Sequence, residues 1–513
     1  MMSKKTALTL FLVAFIYRLI ILSNSNITFF SDDAIYAILA RFFANGDVYH
    51  AIHPTWPPLY PLLAAIFHLV SSRWETALQL VSTVAGSLLP IPLYMVAKKY
   101  LDQKSTATFA ILTSFFDPLI TESLMPLSDM LSSLLTICFI FTIFFYLSRP
   151  NKKLIILAAV FNGLIYLTRS EGFMFFSLTS AFLVMFHVLS KRKLIAFVGF
   201  FVFTFLLITS PYTVTMSQRF HKISFTQKAS AQIKQGRSFE LRKNGTTWSQ
   251  VVVSVKDPNY SSDYFTGGLG HVLEYGDWYW WWFLEKGEKW INLYWKLFPV
   301  WASVFLFIGI IKSFKKKYFW SIVYIIFIST ISILATIFAT PSTEIRYLLW
   351  LFPILIFFFS KGVYETAKYA RLKKFSFLIV GMLLLFLPTF STQQILHPIA
   401  FAHNFTQRHF RPEILLAKEY IKNDTDKKSP KIMMRHEALE FYVEGTTIYT
   451  PEVPIEEIIE YARKNDVDYL ISWTFELAND KELLKIVDPN SNIEGLVPVL
   501  IVPELIVYKL NNE

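Results

Sequence analysis

The sequence predicts a multi-span α-helical membrane protein, with about eleven transmembrane helices and a small C-terminal soluble α/β domain. Three observations carry this. Of the 513 residues, 54% are hydrophobic and 17% charged, well outside the balance of an ordinary soluble domain. Apolar runs of near-span length recur from residue 6 to residue 391, and in lipid only a helix satisfies the backbone hydrogen bonds within one segment. Basic residues gather in alternate connecting segments, as the positive-inside rule requires. The formal charge of +11 therefore does not point to nucleic acid. From residue 402 onward 13 Lys and Arg stand against 20 Asp and Glu, so the basic excess belongs to the membrane part.

The predicted spans are residues 6–22, 76–97, 105–121, 127–147, 153–169, 171–189, 194–211, 293–314, 319–339, 345–361 and 374–391. The first follows Lys4 and Lys5 in the manner of a secretory signal, but "SNSNITFFSDD" is a poor cleavage site, so it reads as a retained span. Lys4 and Lys5, "KKYLDQK" (98–104), "RPNKK" (149–153), "KRK" (191–193), "KSFKKK" (312–317) and "KGVYETAKYARLKK" (361–374) hold 20 basic residues against Asp102 and Glu365. That assigns them, and the N-terminus, to the cytoplasm of a multi-pass cell-membrane protein. The loop 23–75, the turn near 121–129, "TRSEG" (168–172), the loop 212–292 and the tail then face outward. "PPLYPLLAAIFHLV" (57–70) is too short for a span and reads as an interfacial helix. The expected division is a membrane domain, 1–401, and an extracytoplasmic α/β domain, 402–513. In the latter "EILLAKEYIKND" and "PIEEIIEYARKND" read as helices, "KIMMR" and "VDYLISW" as strands, and "LVPVLIVPELIVYKL" as a terminal apolar segment. Cys138 is the sole cysteine, so no intrachain disulfide forms.

Four outward constellations bear chemistry. Asp32 and Asp33 open a helix for which Ser31 is a reasonable N-cap, with Tyr36 on the face of Asp32 and Ala37, Ala40 and Ala44 allowing close helix approach. Capping accounts for one carboxylate beside an apolar lip, and hardly for two. "DPLITESLMPLSD" puts Asp117, Glu122 and Asp129 at the outer ends of adjacent spans, where charges normally face a polar cavity or a partner. "YLTRSEG" holds Arg169 and Glu171 in a minimal turn, readable also as a local ion pair. "STEIRYLLWLFP" sets Arg346 at an outer lip, suited to an anionic headgroup or to simple snorkelling. Acids and fixed cations on one membrane face fit a reaction on a phosphate-bearing lipid, with a carboxylate taking a proton and guanidinium groups holding the departing phosphate.

Other features are weaker. Trp278, Trp280, Trp281 and Trp282 read as an interfacial belt rather than a sugar-stacking surface. Sequons at Asn26, Asn244, Asn259, Asn404 and Asn423 face outward and permit glycosylation. His50 and His53 have a spacing that suits a metal, but Pro54 opposes a continuing helix. Phosphate-binding glycine loops, HExxH and GxSxG are absent.

The run "DDAIYAILARFFANGD" followed by "PPLYPLL" resembles the first outer loop of the GT-C class of polyprenyl-phosphate-sugar-dependent glycosyltransferases, the superfamily of protein O-mannosyltransferases and the lipid A aminoarabinose transferase. Asp33 stands where Glu is usual. "LTRSEG" and "RYLLWLFP" are similar to later elements of that class. The resemblance implies a GT-C-like membrane fold and inverting transfer of a monosaccharide from a polyprenyl-phosphate donor to a hydroxyl-bearing acceptor in the bilayer. Asp32 and Asp33 become the candidate catalytic pair, with Asp32 as base. Asp33, Glu122, Asp129 and Glu171 would shape the acceptor site or hold a cation, Tyr36 would line the substrate, and Arg169 and Arg346 would hold the lipid phosphate. No cofactor is certain, and a divalent cation stays open because members of the class differ in metal use.

Rival readings are a lipid or sugar transporter or flippase, an oligosaccharyltransferase, and a non-catalytic glycan-binding membrane protein. No internal repeat supports the first, and the Trp-Trp-Asp signature expected of the second is missing, "YGDWYWWW" having another order.

Overall fold

The computed structural model describes residues 4–189, 195–219, 221, 276–340, 343–388, 395–451, 454–474, 486–488 and 493–511. The membrane part is helical throughout: α1 (Lys4–Ser23), α2 (Asp32–Ala44), α3 (Val48–Ala51), α4 (Leu59–His68), α5 (Trp74–Leu88), α6 (Pro90–Ala97), α7 (Gln103–Thr113), α8 (Asp117–Leu124), α9 (Asp129–Ser148), α10 (Lys152–Thr168), α11 (Glu171–Leu189), α12 (Ile195–Arg219), α13 (Gly276–Leu297), α14 (Val300–Ser313), α15 (Phe319–Ala339), α16 (Leu351–Tyr369) and α17 (Ser376–Leu385). The tail adds α18 (Pro398–His409), α19 (Pro412–Asp424), α20 (Ala438–Val443) and α21 (Ile455–Lys464).

Six of the described segments are by themselves long and apolar enough to cross a bilayer: Lys4–Ser23, Trp74–Ala97, Asp129–Ser148, Glu171–Leu189, Ala196–Arg219 and Lys316–Ala339. Several other predicted spans are broken. The expected helix 105–121 divides into α7 and α8, because Pro118 follows Asp117 and has no amide to continue the ladder. The expected 293–314 bends by 93° between α13 and α14 at Pro299. The expected 345–361 opens as a 3₁₀ turn, Ile345–Leu348, before α16. The loop expected from 212 is helical as far as Arg219, whose guanidinium donates to the carbonyls of Ile52 and Tyr49, both at 2.7 Å. Residues 222–275 of that loop, with Asn244 and Asn259, lie outside the described residues, and its end is α13. The short segment 57–70 forms α4, with Tyr60, Pro61, Ala64 and Ala65 buried. On α13 Trp282 is buried beneath Lys286, whereas Trp280 and Trp281 are exposed.

α9 is the central helix, nearly all of its side chains buried, with α5, α10 and α15 against it. α14 and α16 cross with their backbones in contact at Gly309 and Gly362, where a Cβ on either glycine would overlap a main-chain carbonyl, of Phe358 or Phe305. Close packing of small residues is the main attraction available between helices in lipid. Gly362→Leu is therefore expected to separate this pair and destabilise the fold by about 1–3 kcal/mol or more, read as a lower melting temperature in detergent. An unchanged melting temperature would show that the crossing does not contribute.

In the tail, five strands, β1 (Lys431–Met434), β2 (Thr446–Tyr449), β3 (Tyr469–Trp473), β4 (Leu496–Val502) and β5 (Leu505–Leu510), form one sheet in the order β2-β1-β3-β5-β4. β1 lies parallel to β2 and β3, and β5 antiparallel to β3 and β4. The anticipated helices and strands are present, and the apolar terminal segment is the β4–β5 hairpin; α18, which runs across the expected boundary at 401/402, α20 and β2 are additions. The tail closes onto the first outer loop. Tyr442 accepts from the Phe29 amide at 3.0 Å and donates to Glu75 on α5 at 2.9 Å, Phe29 meets Phe441 edge to face, and Arg41 lies over the Phe441 ring.

Candidate active site

The site begins with the break between α7 and α8. Carbonyls freed at such a break must find donors inside the protein, since lipid offers none. Arg18, fully buried on α1, donates to the Ser114 carbonyl at 2.8 Å and to Ser123 Oγ at 3.0 Å. From α5, Gln79 donates to the Leu124 carbonyl, Thr83 to that of Ser123 and Ser82 to that of Leu127, at 2.8, 3.0 and 2.9 Å. These bonds fix α8 and the turn leading to α9, and so fix Glu122 and Asp129.

The acidic pair divides in two. Asp33 is buried, and its Oδ1 accepts from the amides of Phe30, Ser31 and Ala34 at 2.9, 2.6 and 3.0 Å. The Asp33 carboxylate thus supplies the capping expected of Ser31, whose side chain makes no capping bond. Asp32 is partly exposed and borders a cavity of about 430 Å³. Trp56 Nε1 donates to Asp32 Oδ1 at 3.3 Å, and Arg346 Nη1 lies 4.0 Å from Oδ2. Arg346 also pairs with Glu344 at 2.6 Å. Glu122, Glu344, Arg346, Arg408, His409 and Arg411 share the cavity with both aspartates.

Arg346 further borders a narrow slot of about 30 Å³ lined by Asp129, Arg169, Glu171 and the hydroxyls of Ser132, Ser133, Thr136, Ser332 and Thr336. Arg169 is engaged by two carboxylates, Asp129 and Glu171, the latter at 2.7 Å. Gly172 packs against the Tyr166 backbone, where a Cβ would overlap, so the "TRSEG" turn is as tight as its sequence. Tyr36 borders neither space: it is buried, bonded to Ser128 at 2.7 Å and packed on Tyr60. Asp117 accepts from Thr121 at the start of α8 and lines neither space. The candidate residues other than Tyr36 and Asp117 therefore meet in two adjoining spaces that share Arg346.

Burial pushes the Asp33 carboxyl up to about 6, with the Asp32 charge adding and the three amides opposing. An unfolded aspartate titrates near about 3.9, so the folded state binds more protons between those values. The associated stability is present below about pH 4 and lost as the pH rises through about 6. Asp33→Asn keeps an acceptor for the three amides. It is expected to fold and to flatten the stability profile between about pH 4 and 6, as melting temperatures across that range would show; an equal slope in the variant would assign the titration elsewhere. His436, stacked near Phe30, is held at about 4 by burial, with Arg435 adding and Asp32 opposing.

Among the described residues no three His, Cys, Asp or Glu side chains converge as metal ligands. His50 instead bonds Asp47 at 2.7 Å, and His53 is buried beside Trp56. The described acids therefore offer no ready-made ligand set for a divalent cation.

Sequence reasoning missed Trp56, Glu344 and the tail cations. Trp56 stands between prolines in "HPTWPP", and Glu344 two residues before Arg346, both visible signals. Arg408 and Arg411 carry no signal at all, because only docking of the tail brings them to Asp32.

The family model for dolichyl-phosphate-mannose-protein mannosyltransferase matches residues 53–214. That covers Glu122, Asp129, Arg169 and Glu171, but not Asp32 or Arg346. No curated protein sequence matches the chain. Among solved structures, ArnT from Cupriavidus metallidurans bound to undecaprenyl phosphate is similar with a TM-score of 0.59 and 14% identity, over 99% of this chain and 98% of that one. The archaeal oligosaccharyltransferase AglB from Archaeoglobus fulgidus, in complex with an inhibitory peptide and a dolichol-phosphate, gives a TM-score of 0.55 and 11% identity, over 99% and 74%. At these identities the structural likeness establishes the fold. The chain thus has a multi-span helical membrane architecture of the kind seen in these two structures, a GT-C-like fold.

Proposed function

We propose that the chain is an inverting glycosyltransferase. It moves a monosaccharide from a polyprenyl-phosphate donor to a hydroxyl on a protein, glycan or lipid at the outer face of the cell membrane. The observation that carries this reading is the position of Asp32, open to the large cavity, oriented by Trp56 and 4.0 Å from Arg346. The family match supports a sugar-transfer chemistry, and the lipid phosphates bound to ArnT and AglB support a donor of that kind. The alternation of basic loops supports the outward orientation.

In the proposed reaction the acceptor oxygen attacks C1 of the sugar while Asp32 removes its proton. The C1–O bond to phosphate breaks, its electron pair leaves with the lipid phosphate, and the anomeric configuration inverts. Arg346, shared by the cavity and the slot, stabilises the departing phosphate. Asp33 acts through Asp32 by holding the first turn of α2. Arg169, paired with Asp129 and Glu171, holds the entrances of α9 and α11 together.

Purified protein in vesicles, supplied with radiolabelled polyprenyl-phosphate sugars and a mixed acceptor pool, is expected to form labelled product of inverted configuration. Movement of lipid or sugar across the vesicle with no transfer from any donor would overturn the enzyme reading in favour of a transporter.

A further inference from the structure

The proposed transfer leaves unused a second group of cations in the same cavity. Arg408 lies in the last turn of α18 and Arg411 just before α19, with His409 between them in sequence, and all three line the space beside Asp32. The main chain here is committed to docking: the Thr28 amide donates to the His409 carbonyl at 3.0 Å, and the Arg411 amide to Thr28 Oγ1 at 2.8 Å. The Asn26 amide donates to Thr406 at 2.9 Å. These docking bonds are made by main-chain groups and the Thr28 and Thr406 hydroxyls, not by the Arg408 guanidinium. Arg408 is exposed, and among the described residues it has no carboxylate within ion-pair distance, whereas Arg346 in the same cavity has Glu344 and Asp32 beside it. Burial, Arg411 and Arg408 hold His409 down at about 4, so it is neutral at physiological pH and the charge of the group comes from the two guanidiniums.

A pair of fixed cations lining the cavity of a hydroxyl-activating carboxylate suits a substrate carrying both a hydroxyl and an anion. The donor already has a cation at the leaving phosphate, and its polyprenyl chain must lie in the bilayer. Arg408 and Arg411 belong instead to a segment bonded to the outer loop. We propose, on the transfer reading given above, that Arg408 and Arg411 select the acceptor by binding an anionic group, a carboxylate or a phosphate, near the reacting hydroxyl.

The test is direct binding to the full chain in nanodiscs without donor, so that it does not depend on turnover. The probes are p-nitrophenyl glucuronide against p-nitrophenyl glucoside, glucose 6-phosphate against glucose, and undecaprenyl phosphate. The wild type is expected to prefer one or both anionic sugars by about tenfold, a preference that falls to within about twofold in R408Q/R411Q and is kept in R408K/R411K. The arm in which preference appears identifies carboxylate or phosphate as the anion. Equal binding of anionic and neutral sugars by the wild type would overturn the proposal, and so would a preference unchanged in the glutamine pair. Loss of undecaprenyl phosphate binding with the sugar preference intact would reassign the arginines to the donor. Should the double variant fail to fold, R408Q at its exposed position carries the test, with loss of about half the preference expected. Anion preference without transfer from any donor would leave this site standing while the glycosyltransferase reading fails.

Discussion

Asp32→Asn is expected to lower sugar transfer by about 10²–10⁴-fold, the usual contribution of a positioned general base. The substitution preserves the side chain's shape and its acceptor for Trp56, and the position is partly exposed, so the melting temperature should stay near that of the wild type. The fall should appear in kcat, with donor binding little changed, because the lost interaction forms only as the proton moves. Initial rates at saturating donor, alongside a melting curve, separate this outcome from misfolding. Full activity in a well-folded Asp32→Asn protein would remove Asp32 as the base. Asp33→Asn provides the contrast, since its carboxylate is held by three backbone amides.

Arg169→Met is expected to produce the largest loss of stability. Arg169 and Asp129 are both buried and paired, with Glu171 on the other side of the guanidinium. Removing one member of a buried pair leaves an uncompensated charge, at a cost of about 3–5 kcal/mol. The double variant Asp129→Asn/Arg169→Met removes that charge and should recover much of the loss. Melting temperatures of the two proteins decide the matter: equal destabilisation would show that the effect lies in packing rather than charge.

Much of the membrane fold was legible in the chain because lipid imposes a simple rule, that apolar length and helical bonding go together. The segments now seen as Lys4–Ser23, Asp129–Ser148, Glu171–Leu189 and Phe319–Ala339 follow from it almost to the residue. The rule weakens where proline interrupts a run. Pro118 and Pro299 were visible, but whether each would kink, break or fold back a span depended on partners elsewhere, such as Arg18, which donates to the Ser114 carbonyl freed at the first. A buried arginine on the first span is informative only once its acceptors are known.

The candidate site divides along the same line. By itself the sequence marked Asp32, Asp33, Glu122, Asp129, Arg169, Glu171 and Arg346 as charges at the lip of a membrane, because burying a charge in lipid is costly and its presence needs a reason. Only the tertiary structure decided their partners. It distinguished Asp32 from Asp33 through the three amides on one carboxylate, and put Arg169 between two acids and Tyr36 into the core. It also brought Trp56, Arg408 and Arg411 to the cavity. Composition and spacing report what a segment costs to bury, which is local, whereas partner choice depends on distances between residues up to several hundred positions apart, which the packing of the helices sets for Asp32, Arg169 and Arg346 and the docking of the tail sets for Arg408 and Arg411.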